Sequence, residues 1–403
     1  MTNRLPLIFV LVTLVIDAMG VGLILPVMPD LIREMNGGGL GEAALWGGLL
    51  STSFAVMQFV FGPTVGSLSD RFGRRPVLLI SLAVIAADYV IMAVVGTIWW
   101  LLVGRIIGGI AASTHSTASA FVADISRPED KAKNFGLVGA AFGIGFVLGP
   151  VIGGMLAGFG TRAPFWAAAG LAALNFAFGF IVMPETVTDR IRRPFAWRRA
   201  NPLGAFRALS KLPGLTRFLV LDFIYEFSFF VYPAIWAYYT QERFGWGPGM
   251  VGVTLAMFGV SVAFVQGYLI RVFLTRWGEG RVVLFGFVAS AVVFFGLGIV
   301  TSPVLALMMT PFAALGGVAT PALQSMMSRL ADDNQQGELQ GLLASFRAVA
   351  TIFAPITMTA IFAAFTLPNG LGYMPGAPFL LSMLLMGVCL VVFLRGRTPA
   401  VRS

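Results

Sequence analysis

Asp17, Asp88, Arg105, His115, Asp222, Glu226 and Arg347 each fall inside a long apolar run of a chain that is 58% hydrophobic and 11% charged. A soluble protein of 403 residues carries about a quarter charged residues. The apolar side chains here must therefore face lipid, and an ionisable group at membrane depth is costly and marks a functional position. A carboxyl group in such a place can bind and release a proton. Low dielectric disfavours its ionised form, a nearby guanidinium favours it, and a helix movement that changes the distance between them changes the affinity for protons. Asp17 lies about 16 Å into its span, Asp88 at a similar depth, and Arg105 about 20 Å from the inner side, at about 1.5 Å per residue. Either these groups form a structural ion pair between helices or they couple protons to a movement. Asp222 and Glu226 stand four apart on one helix face, with Arg347 at nearly the depth of Glu226, and Glu226 is expected to pair with Arg347 or share a cavity with it. Asp222 is nearer the inner end and is expected to snorkel to the interface. Tyr225, Phe229, Tyr232 and Trp236 form an aromatic stripe beside the acids, which either lines a cavity or packs toward lipid. His115 sits in S-T-H-S-T (113–117), where packing against a neighbouring helix competes with a proton relay.

The elements that must hold these groups are helices, because a spanning segment has to satisfy its backbone internally and no alternating-polarity strands are present. Apolar windows predict twelve: 6–28, 44–66, 77–95, 98–120, 135–158, 163–183, 216–240, 249–272, 281–300, 303–326, 338–361 and 377–395. The first is too long for a signal h-region and is read as a retained span. The 27 Lys and Arg residues set the orientation. With the N-terminus inside, Arg33, Arg162 and Arg243 fall outside, Arg105 and Arg347 lie within spans, and all the others face the cytoplasm. That bias places both termini in the cytoplasm. It also accounts for the net charge of +9 through contact with anionic lipid rather than nucleic acid. The Arg- and Pro-rich stretch 184–215 reads as a cytoplasmic linker between an N-terminal six-helix bundle (1–183) and a C-terminal one (216–403).

The stretch GSLSDRFGRRP (66–76) packs an acid and several arginines between two apolar runs. Gly66 and Gly73 are expected to permit a tight turn, and Arg71, Arg74 and Arg75 to hold it inside. A faint echo, VFLTRWGEGRVVL (272–284), sets Arg276, Trp277, Gly278 and Val282 opposite Arg71, Phe72, Gly73 and Val77. The two lie at corresponding places in the two halves, as parallel transporter repeats do. In span five, Gly136, Gly139, Gly143, Gly145, Gly149, Gly153 and Gly154 are expected to allow close helix approach. One His, one Cys (Cys389), no Walker loop and no metal-ligand cluster argue against an enzyme, an ATP-driven pump, a disulfide framework and a metal site. The energy source is then an ion gradient and no cofactor is expected.

The loop 66–76, R-I-I-G-G (105–109), the set Gly145, Gly149, Pro150, Gly153 and Gly154, and P-E-T (184–186) resemble the motifs of the major facilitator superfamily, the third being similar to the motif of its proton antiporters. IDAMGVGLILPVMPDLIRE (16–34), PALQ (321–324), GELQGLLAS (337–345) and ERFGW (242–246) look like the bacterial tetracycline efflux proteins. The resemblance covers the whole chain. It implies an all-α membrane protein of twelve helices in two pseudo-symmetric six-helix bundles in the bacterial inner membrane. It implies export of tetracycline-like or other amphipathic drugs in exchange for protons; a monomer is expected. Export of a natural metabolite or siderophore is the alternative; a sugar or organic-acid symporter would lack the span-five motif. Asp17, Asp88, Arg105 and Glu226 are the proton-coupling candidates. A gating role falls to Asp70 and Arg74, with Gly66, Arg71, Gly73 and Asp124. A substrate cavity is assigned to Gln58, Tyr225, Glu226, Phe229, Tyr232, Trp236, Gln266, Gln324 and Arg347. The chain departs from the tetracycline exporters where they carry an acid in span nine, here Ser290, and a His in span eight, here Val262.

Overall fold

The computed structural model describes residues 5–112, 114–188, 192, 201, 204, 206, 214–332 and 335–396. Twelve helices are long and apolar enough to cross a membrane, and no strand occurs among the described residues. They are α1 Leu5–Ile24, α2 Leu40–Phe72, α3 Arg74–Val94, α4 in two pieces (Ile98–Ala111 and Thr114–Ile125), α5 Lys133–Phe159 and α6 Ala163–Val182. Then follow α7 Thr216–Phe244, α8 Pro248–Trp277, α9 Glu279–Ile299, α10 Pro303–Leu330, α11 Gln336–Ala364 and α12 Ala377–Arg395. A short helix, Met28–Asn36, lies between α1 and α2.

Several helices are broken where the sequence cannot sustain regular bonding. Pro233 lacks an N–H and crowds the preceding turn, and α7 divides at Phe230. Pro311 precedes a 3₁₀ stretch, Ala313–Val318, in α10. Five residues of α8, Val265–Leu269, form a π turn, a feature that recurs at functional sites. The break in α4 frees the Ala112 carbonyl, which accepts a hydrogen bond from Gln58 Nε2 on α2 at 2.8 Å.

Two compact units result. One comprises Met1–Gly204 with Gly245–Gly259, the other Ala205–Phe244 with Val260–Ser403. The segment Gly245–Gly259, expected with the C-terminal half, thus groups with the first unit, and the boundary falls inside α8. The linker expected over 184–215 lies mostly outside the described residues. The first unit's core joins α1, α3, α4 and α5 through Phe9, Leu14, Leu78, Phe121 and Val138. The second is built around rings: Tyr232 on α7 lies 5.6 Å from Phe294 of α9 and 5.8 Å from Phe379 of α12, and Tyr239 lies 5.0 Å from Phe379. Rings of this size contribute about 0.5–1.5 kcal/mol per pair beyond their burial.

Arginines close helix ends whose last carbonyls would otherwise be orphaned. Arg162 donates to Ala93 O in the last turn of α3 at 3.1 Å, Arg243 to Val300 O after α9 at 3.1 Å, Arg75 to Phe180 O in α6 at 2.7 Å, and Arg217 to Val392 O in α12 at 3.1 Å. These cations are structural ties between helices.

Candidate functional site

Close helix approach in the first unit begins with the α5 glycines. A methyl group added at Gly145 would stand 2.9 Å from the Ala18 Cβ; at Gly149, 2.6 Å from Met19 O and 2.8 Å from Gly22 Cα; at Gly153, 2.8 Å from the Leu23 backbone. Gly22 of α1 meets the Pro150 ring in return, 2.7 Å from such an added Cβ. Gly154 faces Pro248 O instead, at 2.7 Å. Gly136, Gly139 and Gly143 touch nothing within 4 Å. Of the expected ladder only the later part, from Gly145 on, meets neighbours, and the three earlier glycines take no share in the seam.

Asp17 lies on the α1 turn that this seam holds, between Val15 and Ala18, both of which meet Gly145. It is partly buried and has no ion-pair partner among the described residues. One turn further along α1, Gly20 leaves room for the Tyr89 hydroxyl, which would stand 2.5 Å from a Cβ there. Asp88, the neighbour of Tyr89 on α3, is ion-paired with Arg105 of α4, the two side chains 4% and 12% exposed. Gly104 and Gly108 make this pair possible: a methyl at either would stand 2.9 Å or 2.8 Å from an Asp88 oxygen. The Arg105 guanidinium also lies over the Phe54 ring of α2, 5.2 Å from its centre. Asp88 Oδ1 and Arg105 Nε have no hydrogen-bond partner, so the pair is held by a single contact.

The loop between α2 and α3 turns at Gly73, with φ of 115°. Gly66 lies in the interior of α2, not at a turn, because α2 runs unbroken to Phe72. Arg74 binds Asp70 Oδ1 at 2.6 Å, Ser69 Oγ at 3.0 Å and Asp124 Oδ2 of α4 at 3.2 Å. Thr186 Oγ1 donates to the same Asp124 oxygen at 3.2 Å. Glu185 accepts the backbone N–H groups of Arg74, Thr186 and Val187, each at 2.9 Å, and of Arg75 at 3.2 Å. Asp70 and Asp124 thus share the Arg74 guanidinium, all within the first unit. Glu185, noticed in the sequence only as part of P-E-T, caps α3 from outside the helix. Arg71 takes no part; its guanidinium stacks over Phe72, 5.0 Å from the ring centre.

The second unit repeats this device with reversed charges. Gly278 turns the chain between α8 and α9 with φ of 73°. Glu279 follows it as Arg74 follows Gly73, and binds Arg329 at 3.0 Å and the Ser325 hydroxyl at 2.5 Å. Arg329 stands as far beyond Gly278 as Asp124 stands beyond Gly73. The echo of 67–79 in 272–284 pointed to this pair; continuing the same register along the chain would have found it.

Deeper in the second unit, Arg347 of α11 pairs with Glu226 of α7 at 3.1 Å, the side chains 48% and 23% exposed. Asp222 does not snorkel. It is 1% exposed, and neither carboxyl oxygen has a hydrogen-bond partner. Tyr225, Tyr232 and Trp236 are buried among Phe287, Phe294 and Phe379, so these three cavity candidates are core residues and face neither lipid nor an open chamber. Phe229 stays partly exposed beside Tyr225. Gln266 is exposed in the π turn of α8, its Nε2 3.8 Å from where Gly317 would carry a Cβ, and Gln324 is partly exposed on α10. Ser290 points its hydroxyl at Gly316 and lies against the Tyr225 hydroxyl. No group of His, Cys, Asp and Glu suited to hold a metal occurs among the described residues.

Comparison with known proteins places this geometry. The sequence model of the Major Facilitator Superfamily matches residues 10–273 and 218–403. The class C tetracycline resistance protein of Escherichia coli is 39% identical over 98% of both chains, and the class G protein of Vibrio anguillarum 37% identical over 94% of this chain and 95% of that one. Among solved structures, a human organic anion transporter superposes with a TM-score of 0.69 at 25% identity, covering 98% of this chain and 100% of its own. A bacterial homologue of the human lysosomal transporter Spinster shares the fold, with a TM-score of 0.78 at 15% identity over 98% of this chain and 97% of that one.

Proposed function

Since the chain belongs to the major facilitator superfamily, we propose that it is a proton-coupled efflux antiporter of the bacterial inner membrane, exporting tetracycline-like or other amphipathic drugs by alternating access. The observation that carries the reading is the arrangement in the first unit. A buried Asp88–Arg105 pair and an unpaired Asp17 lie on helices that meet at Gly20 and Tyr89, and Asp17 rides on the α1 turn clamped by the α5 glycines. A shift of α1 against α3 and α4 would alter the distance of each acid from the single guanidinium and so exchange a proton. The resistance proteins it resembles support drugs as cargo. In the second unit, exposed Gln266 and Arg347 and partly exposed Glu226, Phe229 and Gln324 supply polar and aromatic groups an amphipathic molecule would meet. The proton gradient drives the cycle, no cofactor takes part, a single chain in lipid suffices, and both termini face the cytoplasm, where the loop arginines concentrate.

One observation favours a second reading, export of a natural metabolite. Ser290 is buried against Gly316 and Tyr225, where the tetracycline exporters carry an acid. A susceptibility panel in an efflux-deficient bacterial host separates the two. The first reading expects raised resistance to tetracyclines or other amphipathic drugs, lost in Asp17→Asn. Unchanged susceptibility to every compound at normal membrane expression would end the drug reading and leave the metabolite.

A further inference from the structure

We infer that Asp222 is a proton-exchange site of the second unit, switched by whether Arg347 engages Glu226 or Asp222. Asp222 is 1% exposed, with no donor to either oxygen. The Tyr225 and Ser290 hydroxyls, both 3% exposed, lie against each other, and neither donates to Asp222. An ionised carboxylate isolated there is poorly solvated; a neutral carboxylic acid is far less so. With Arg347 held 3.1 Å from Glu226, Asp222 is the acid left without a counter-charge, and it carries the proton.

The charged groups acting on Asp222 are Glu226 on its own helix and Arg347 on α11. The other packed elements offer no competing charge. On α12 the Cys389 thiol lies 3.9 Å from Leu221 O, and on α10 the one cation, Arg329, is held by Glu279. Two acids and one guanidinium are neutral together when they hold one proton. Asp222 and Glu226 are one helical turn apart, about 5–6 Å, within the swing of one arginine. When Arg347 moves to Asp222, the proton leaves the Asp222 carboxyl and the released Glu226 carboxylate takes one up. No net charge is created, and the proton passes from a buried acid to a partly exposed one. The position supports the assignment independently: Asp222 precedes Gly278 by as many residues as Asp17 precedes Gly73. Each unit therefore carries an unpaired acid at the equivalent place in its first helix.

The inference relies on the antiporter reading for its purpose but not for its test, which needs no substrate. Infrared spectra of the full chain in lipid vesicles at neutral pH, with carbon-13-labelled aspartate, report protonated aspartic acid by its C=O stretch. A component of that band is expected to vanish in Asp222→Asn. It should vanish equally in Asp222→Glu, which keeps an acid but not the label, should the amide variant fold poorly. Glu226→Gln is the discriminating variant: it frees Arg347 to ionise Asp222, so the same component should disappear there too. A band unaffected by the Asp222 substitutions, or one that persists in Glu226→Gln, would overturn the inference. Either spectrum stands whatever the protein transports, so failure of the antiporter reading shows itself separately, in the susceptibility panel.

Discussion

Two glycines of α5 that look alike in the sequence should respond with opposite sign to the same substitution. Gly149 and Gly139 both lie in the interior of a membrane helix. An alanine Cβ at Gly149 would stand 2.6 Å from Met19 O and 2.8 Å from Gly22 Cα. Both are backbone atoms and cannot rotate away, and carbon–carbon contact is relaxed only near 3.5–4 Å. The α1 and α5 axes must then separate by roughly 1 Å along the seam, which costs about 1–3 kcal/mol of overpacking. At Gly139 nothing lies within 4 Å, so alanine adds only its helix preference, up to about 1 kcal/mol in its favour. Reversible unfolding in mixed detergent micelles gives both changes as shifts in the transition midpoint. Gly149→Ala should be destabilised and Gly139→Ala equal to or more stable than the parent. Equal behaviour of the two, or a Gly149→Ala protein as stable as the parent, would refute direct backbone contact as the reason for the glycine motif. Because Asp17 rides on the same α1 turns, Gly149→Ala should also lower transport at a temperature where it stays folded.

Asp17→Asn should abolish proton-driven uptake into inverted vesicles while substrate binding persists; retained uptake would remove Asp17 from coupling. Asp88→Asn leaves the Arg105 guanidinium buried without its carboxylate, and removing one partner of such a pair costs about 3–5 kcal/mol. Low expression is therefore expected, restored in part when Arg105→Met is added, and an Asp88→Asn protein of parental stability would show that the pair is not structural. Asp70→Asn should slow turnover several-fold with binding largely intact, because Arg74 keeps Asp124 but loses its 2.6 Å partner; unchanged turnover would reduce Asp70 to loop geometry.

Helix existence was legible because lipid imposes one rule on every span, and the twelve apolar windows all return as helices. Boundaries were less legible: α2 continues to Phe72 because nothing before Gly73 obliges the backbone to turn, which moves Gly66 from a loop into a helix. The nearness of Glu226 and Arg347 was readable from depth, which left a pair and a shared cavity as alternatives; the structure pairs them. Asp222 was misread because distance from a span's end was taken as distance from water; the rings around Tyr225 and Phe287 seal that level of the second unit. The aromatic stripe was ambiguous for the same reason, as periodicity shows that a face is apolar without showing what covers it.

The loop clusters follow from one electrostatic requirement that the two units meet differently. A helix N-terminus carries partial positive charge and favours an acid in its first turn. Helix α9 supplies its own, Glu279, and the neighbouring α10 answers with Arg329. Helix α3 begins instead with Arg74 and Arg75, which oppose the dipole, and so takes acids from elsewhere: Asp70 and Asp124 on the side chain of Arg74, and Glu185 on the backbone N–H groups of both arginines. Reversing the charge at the position after the turning glycine thus reverses its α4 or α10 partner and obliges the first unit to add a cap that the second does not need. Glu185→Gln tests this chain of causes. It keeps an acceptor of similar shape but removes the charge, a loss of about 1 kcal/mol at a solvent-exposed helix end. Hydrogen exchange at the Arg74 and Arg75 amides should then quicken about five-fold, while the amides opening α9 stay as they were. No change at α3 would mean that its first turn is held by the arginine side chains alone, and the borrowed cap would have to be abandoned.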